Sequence, residues 1–236
     1  MAYVQGVLGE VKICILIPIH NEAVTIGSLV QALKAKNLDV FVVDDGSQDA
    51  SGAIAQKEGA LVLANKIKQG KGRSLQKGFA TILQQDYDGV ILMDGDGQHD
   101  VDDIEKFLKK AHEDKRSIIA GNRMGNSKNM PLLRYLTNRG MSSLISWVCR
   151  QHIPDTQCGY RYIPCEILRQ ISFECGDFEI ESEILIKSSR AGFHVHSIPV
   201  KTIYCNEKSK INPFKDTIRF FAYFIKEMGS RNDTRE

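Results

Sequence analysis

Three apolar, β-branched runs in this chain each stop abruptly at a polar, mostly acidic cluster. Residues 11–19 end at His20-Asn21-Glu22, residues 40–43 at Asp44-Asp45-Gly46-Ser47, and residues 89–93 at Asp94-Gly95-Asp96-Gly97-Gln98-His99. Between and after them lie stretches with helical spacing of apolar residues: 23–36, 74–83 and 101–112. Two further strand-like runs, 60–64 and 117–120, continue the alternation. Such alternation predicts an α/β fold, a mostly parallel sheet flanked by helices on both faces. In an open parallel sheet the carboxyl ends of the strands share one edge, where ligands bind. One capped turn with acidic residues is ordinary; three on the same edge predict a single crevice lined by carboxylates.

The second half is less regular. Residues 132–149 form a long amphipathic helical stretch, 160–163 a short strand, 179–191 a helix ending at Gly192, 194–204 a strand interrupted by Pro199, and 213–228 a terminal helix. No repeat or low-complexity linker divides the chain, so one domain is expected over its 236 residues. A donor half would cover about 11–125 and an acceptor half about 126–228. The formal net charge of +2 does not suggest nucleic acid as a partner. No signal-peptide pattern opens the chain, and no apolar run reaches the roughly 18–20 residues a spanning helix needs. The six cysteines are scattered without a C-x-x-C pair, so reduced thiols in the cytoplasm are expected rather than disulfides or zinc.

The most informative segment is Asp94–His99. Asp94 and Asp96 stand two apart, with glycines between and after, so in a turn leaving a strand both carboxylates reach one cation. Oxygen ligands suit Mg2+ or Mn2+, ions that commonly bridge diphosphate oxygens, and the Gln98 amide oxygen offers a further ligand. A calcium loop counted from Asp94 fails, because His99 stands where the sharp turn requires glycine and a strand rather than a helix precedes it. Lys71 lies between Gly70 and Gly72, and Arg123 follows the fifth strand at the same edge; both suit a diphosphate, as do Arg139 and Arg161 further on. Lys66 and Lys68 read as a solvated face. The dinucleotide G-x-G-x-x-G, the Walker loop and the G-x-S-x-G elbow are all missing. His194 and His196 share one strand face without metal spacing.

Taken in order, Ile17-Pro18-Ile19-His20-Asn21-Glu22, Val42-Val43-Asp44-Asp45-Gly46-Ser47, Gly70-Lys71-Gly72, Asp94 to His99, Gly121-Asn122-Arg123, Asp155 to Arg161 and Ser209-Lys210 resemble glycosyltransferase family 2, and within it the dolichyl- or polyprenyl-phosphate sugar synthases. The resemblance covers about residues 11–220. It implies the GT-A fold and inverting transfer of a sugar from a GDP- or UDP-linked donor to a polyprenyl or dolichyl phosphate. Pro18, Asn21, Glu22 and Asp45 would hold base and ribose; Asp94 and Asp96 would be the D-x-D aspartates, with Gln98 helping to bind metal. Arg123 would contact a phosphate, and Arg139, Arg161, Ser209 and Lys210 would lie around the acceptor or donor phosphates. The family's frequent Thr-Ser-Gly-Phe-Arg is replaced here around Gln157-Cys158-Gly159-Tyr160-Arg161, and the long membrane-spanning tail of some members is absent from this sequence.

Two alternatives stay open. A sugar hydroxyl of a polysaccharide or glycolipid would need a general base. Glu179, Glu181 and Glu183 share a predicted helix that could supply one, although acidic residues at a helix start also suit its dipole, the reading preferred for Glu181. A non-catalytic nucleotide-binding partner of a membrane protein is the remaining class. The helices at 132–147 and 213–228 face a membrane surface, the core or a dimer partner. The expected location is the cytoplasm, with peripheral contact at the membrane's cytoplasmic face.

Overall fold

The structure is a computed structural model that describes residues 11–126, 130–203 and 224. Ser209, Lys210 and most of the helix expected at 213–228 lie outside the described residues. Seven strands form one sheet: β1 (Ile13–Ile19), β2 (Asp39–Asp44), β3 (Leu61–Ala64), β4 (Gly89–Leu92), β5 (Ile118–Asn122), β6 (Arg161–Pro164) and β7 (Val195–Pro199). Their order across the sheet is β3-β2-β1-β4-β6-β5-β7. β1 pairs in parallel with β2 and β4, β2 with β3, and β5 with β7, whereas β6 runs antiparallel to both β4 and β5. The carboxyl ends of β1, β2, β4 and β5 therefore share one edge, as the alternation predicts, and β6 enters the sheet from that same edge.

The helices are α1 (Ile26–Ala35), α2 (Ser51–Lys57), α3 (Lys71–Ile82), α4 (Ile104–Glu113), α5 (Leu132–Cys149), α6 (Cys165–Gln170) and α7 (Ile180–Arg190). Burial on both faces explains why the strands read as unbroken apolar runs. Alternate residues of β1 point to opposite cores. Cys14 and Leu16 join Leu75 and Phe79 of α3, Ile145 of α5 and Ile184 of α7 on one face. Ile13, Ile15 and Ile17 join Ile26 and Val30 of α1 and Phe107 of α4 on the other. Among the described residues no helix is long and apolar enough to cross a membrane.

Two boundaries differ from the sequence expectation in ways that matter for the site. α3 begins at Lys71 rather than at 74, entered through Gly70 in the left-handed region at φ 102°. A side chain at Gly70 or Gly72 would strike the backbone of residues 175–177, and the Gly176 carbonyl accepts the Arg73 N–H at 3.1 Å. The two glycines thus let this loop close over the start of α3. β7 ends at Pro199, where the ladder loses a donor, rather than at 204. The chain then crosses the turn after β4: His99 bridges Thr202, and the Ile203 N–H donates to the Gln98 carbonyl at 3.0 Å.

The 174–177 loop is pinned from beneath by Glu183, a fully buried carboxylate of α7. It accepts the Glu174 N–H at 2.9 Å, the Cys175 N–H at 2.9 Å and the Lys187 ammonium at 2.7 Å. Glu183→Ala strands these donors together, and urea denaturation should show a loss of about 3 kcal/mol. A loss below about 1 kcal/mol would mean that the loop is held by other contacts.

Candidate active site

β1 lies between β2 and β4, so the chain leaves β1 to one side first and returns to its other side later. This reversal opens a crevice at the carboxyl edge, and the turn after β4 sits in it. A carboxylate at Asp94 follows directly from the end of that strand. Its Oδ1 accepts the Lys71 ammonium at 2.5 Å. Lys71, the first residue of α3, donates equally to Glu181 Oε1 of α7 at 2.5 Å, and its Nζ lies 5.6 Å from the Phe178 ring centroid. Pro18, Gly159 and Arg161 close the small cavity around these groups.

Burial alone would raise the Asp94 pKa, yet Lys71, His99 and Arg123 together hold it well below the ordinary carboxylate range. Burial would likewise discharge Lys71, but Asp94 and Glu181 keep its pKa above the usual lysine value. Asp96 differs. Burial and the neighbouring charge of Asp94 push its pKa up. The turn thus holds one compensated and one uncompensated carboxylate. Among the described residues, no three His, Cys, Asp or Glu side chains converge on a point.

His99 steadies this turn. Its Nδ1 accepts the Asp94 N–H at 3.3 Å, which assigns the ring proton to Nε2, 3.7 Å from Asp94 Oδ2. The imidazole stacks on Tyr160 with centroids 4.8 Å apart and planes 7° from parallel, and burial lowers its pKa, favouring the neutral form. On the other side Thr25 Oγ1 donates to the Gly95 carbonyl at 2.6 Å, tying the loop after β1 to the same turn.

The chain matches glycosyl transferase family 2 over residues 14–173. It belongs to that family. Among its relatives, the UDP-N-acetylglucosamine–dolichyl-phosphate N-acetylglucosaminyltransferase of Methanococcus voltae is 31% identical over 224 residues, 84% of this chain and 88% of that protein. The undecaprenyl-phosphate mannosyltransferase of Micrococcus luteus is 26% identical over 204 residues, 80% of this chain and 82% of the relative. Glucosyl-3-phosphoglycerate synthase from Mycobacterium tuberculosis, solved with Mn2+, UDP and phosphoglyceric acid, shares the fold with a TM-score of 0.68 at 18% identity, over 93% of this chain and 78% of that one. The GT-A fold expected from the motifs is therefore the fold found, and the chain is a glycosyltransferase.

The structure brings Pro18, Lys71, Asp94 and Arg161 around one point, but it gives several of the residues named from sequence other partners. Arg161 does not face an acceptor phosphate. It is fully buried, and its three nitrogens donate to the carbonyls of Cys158 (2.8 Å), Glu181 (2.5 Å) and Thr156 (2.6 Å). The fork of Arg123 is filled by Asp155, with Nε at 2.8 Å and Nη2 at 3.0 Å, rather than open to a phosphate. Asp45 is buried beneath the 65–70 loop. Burial opposes its charge, but hydrogen bonds from Asn65, Gln69 and Gly70 outweigh it and lower its pKa. Its carboxylate thus shapes the loop before Lys71.

Asn21 sits in the left-handed region at φ 56° and accepts the Gln48 N–H at 2.8 Å, while the Glu22 N–H donates to Ser51 Oγ at 2.7 Å. Both residues stitch the loop after β1 to the loop after β2. Gln98 donates its N–H to Asp96 Oδ1 at 3.0 Å. Arg139 is exposed on α5 and donates to Tyr135 Oη at 3.1 Å. Glu181 stands in the first turn of α7, where an acid suits the helix dipole, and it also lines the cavity around Lys71. His99 and Asp155 belong to the stretches Asp94 to His99 and Asp155 to Arg161, but only the structure gives their partners.

Gly159 allows the start of β6 to pass directly over the turn after β4: a Cβ there would come within 2.7 Å of Asp94 Oδ2. Gly159→Ala should displace that carboxylate and lower transferase turnover by about tenfold or more, with the thermal midpoint little changed. Unaltered turnover would show that the Asp94 position is not critical.

Proposed function

We propose that this chain transfers a sugar, with inversion, from a GDP- or UDP-linked donor to a polyprenyl or dolichyl phosphate. The observation that carries the reading is the Asp94–Asp96 turn at the sheet's crevice, one carboxylate compensated by Lys71 and the other uncompensated. An uncompensated, half-buried carboxylate beside a second one is the charge pattern that a divalent cation relieves. The oxygen donors present fit Mg2+ or Mn2+, held by Asp94 and Asp96 with Gln98. When bound, that ion supplies positive charge to the diphosphate leaving group. Pro18, Asn21, Glu22 and Asp45 form and support the nucleotide end of the site, and Lys71 would add a cation near the diphosphate.

In the reaction the bond from the anomeric carbon to the donor's diphosphate oxygen breaks, and the nucleoside diphosphate leaves with the electron pair. An acceptor phosphate oxygen forms the new bond from the opposite face. A monoester phosphate, with its second pKa near ~6, is already largely anionic at neutral pH and needs no base. Two of the site's titratable side chains favour that acceptor over a hydroxyl, because neither is free to serve as a base. Glu181 faces two cations, with Lys71 at 2.5 Å and Arg161 at 3.6 Å. His99 accepts the Asp94 N–H on its only free lone pair.

The acceptor would be met by the half of the chain from about 126 to 228. On α5, Leu132, Leu133, Leu136 and Trp147 are exposed, 55% to 78% each, on a helix that also carries Arg134 and Arg139. Apolar side chains with interspersed arginines suit peripheral contact with an anionic membrane face. Arg139, Ser209 and Lys210 are the residues we assign to the acceptor phosphate, while Arg123, paired with Asp155, braces the loop at that residue.

The test is sugar transfer from a panel of GDP- and UDP-sugars to a short polyprenyl phosphate, with Mg2+, Mn2+ or a chelator, for wild type and Asp96→Ala. We expect metal-dependent transfer from one donor class, reduced by about 100-fold or more in Asp96→Ala. Transfer to a sugar hydroxyl but not to the lipid phosphate would contradict the acceptor assignment.

A further inference from the structure

We propose that Glu181 is a positioning residue of the donor site: it is the second anchor that lets the Lys71 ammonium release Asp94 when a divalent cation arrives. The proposal rests on the donor-site reading above and extends it to a residue outside the D-x-D turn. Lys71 Nζ lies 2.5 Å from Asp94 Oδ1 and 2.5 Å from Glu181 Oε1, so one ammonium joins two carboxylates. A cation bound by Asp94 competes with that ammonium for the same oxygens. Only 14% of the Lys71 side chain is exposed, so an ammonium that simply left Asp94 would lose its partner while still desolvated. Glu181 removes that penalty, because its contact with Lys71 already exists and survives the exchange.

Glu181 is built to stay where it is. Its carbonyl accepts Arg161 Nη1 at 2.5 Å, and its Oε2 lies 3.6 Å from Arg161 Nη2. Arg161 in turn is fixed by the carbonyls of Cys158 and Thr156 at the entrance to β6. The backbone at Lys71 is equally constrained, since Gly70 and Gly72 pack against the 175–177 loop. Only the flexible Lys71 side chain is left to move. It shifts its weight from Asp94 to Glu181 and remains beside the turn, where it faces the donor diphosphate.

Mn2+ binding tests this without turnover. The paramagnetic resonance signal of free Mn2+ is titrated with protein in the presence of UDP or GDP, for wild type, Glu181→Gln, Lys71→Gln and the double variant. Glu181→Gln keeps the side chain's shape but removes its charge, so Lys71 should cling to Asp94 and Mn2+ affinity should fall about tenfold. In the Lys71→Gln background the same change should alter affinity less than about twofold, because no ammonium remains to be anchored. An equal loss in both backgrounds would mean a plain loss of negative charge near the ion and would overturn the proposal, as would wild-type affinity in Glu181→Gln. If Glu181→Gln does not fold, Glu181→Asp serves in the same cycle, its shorter reach giving a smaller loss that again depends on Lys71. Should wild type bind no Mn2+ with either nucleotide, the donor-site reading itself fails, an outcome distinct from failure of the Glu181 role alone.

Discussion

A lysine ammonium shared by two carboxylates connects three elements that lie far apart in the chain. Lys71 opens α3, Asp94 follows β4, and Glu181 lies 110 residues beyond Lys71 in the first turn of α7. Each element is placed by its own burial: α3 and α7 pack on the same face of the sheet, and β4 is buried throughout. The ion contacts then fix how the carboxyl edge of the sheet meets the helices of the second half. Around them other charges are paired, Arg123 with Asp155 and Glu183 with Lys187, while burial and the neighbouring charge of Asp94 push the Asp96 pKa up. We propose that this charge pattern would hold a metal ion and the diphosphate it accompanies.

Much of this fold was legible in the sequence because local rules decide it. The apolar runs with intervening 3.6-residue periodicity gave the parallel order of β1 to β4, and strand-ending acidic clusters marked the shared edge. The expected run of β7 to 204 is not met: the strand stops at Pro199, which offers no ladder donor. The antiparallel insertion of β6 between β4 and β5 was not legible, since a four-residue strand carries no directional signal. Nor was the early start of α3, which depends on two glycines meeting a loop a hundred residues away.

The site was read less evenly, and charge pairing explains why. Asp94, Asp96 and Lys71 stand close to where their motifs suggest, because each follows directly from the end of a strand or the start of a helix. Arg123 and Arg161 were named for phosphates on the strength of residue type and position. Their partners, Asp155 for one and the Cys158, Thr156 and Glu181 carbonyls for the other, come from a loop whose path no local pattern specifies. Glu181 was assigned to a helix dipole for the same reason: the ammonium that claims it belongs to a distant helix. Arg123 and Arg161 are therefore braces, and the proposal leaves movement to Lys71 alone.

The most direct measurement of the central claim is anomalous diffraction from crystals grown with Mn2+ and UDP or GDP. The account predicts one manganese peak within coordination distance of the Asp96 carboxylate and the nucleotide's diphosphate, with Asp94 turned to it and Lys71 drawn toward Glu181. A nucleotide bound with manganese elsewhere, or with Lys71 still bridging Asp94 and Glu181 as before, would contradict it.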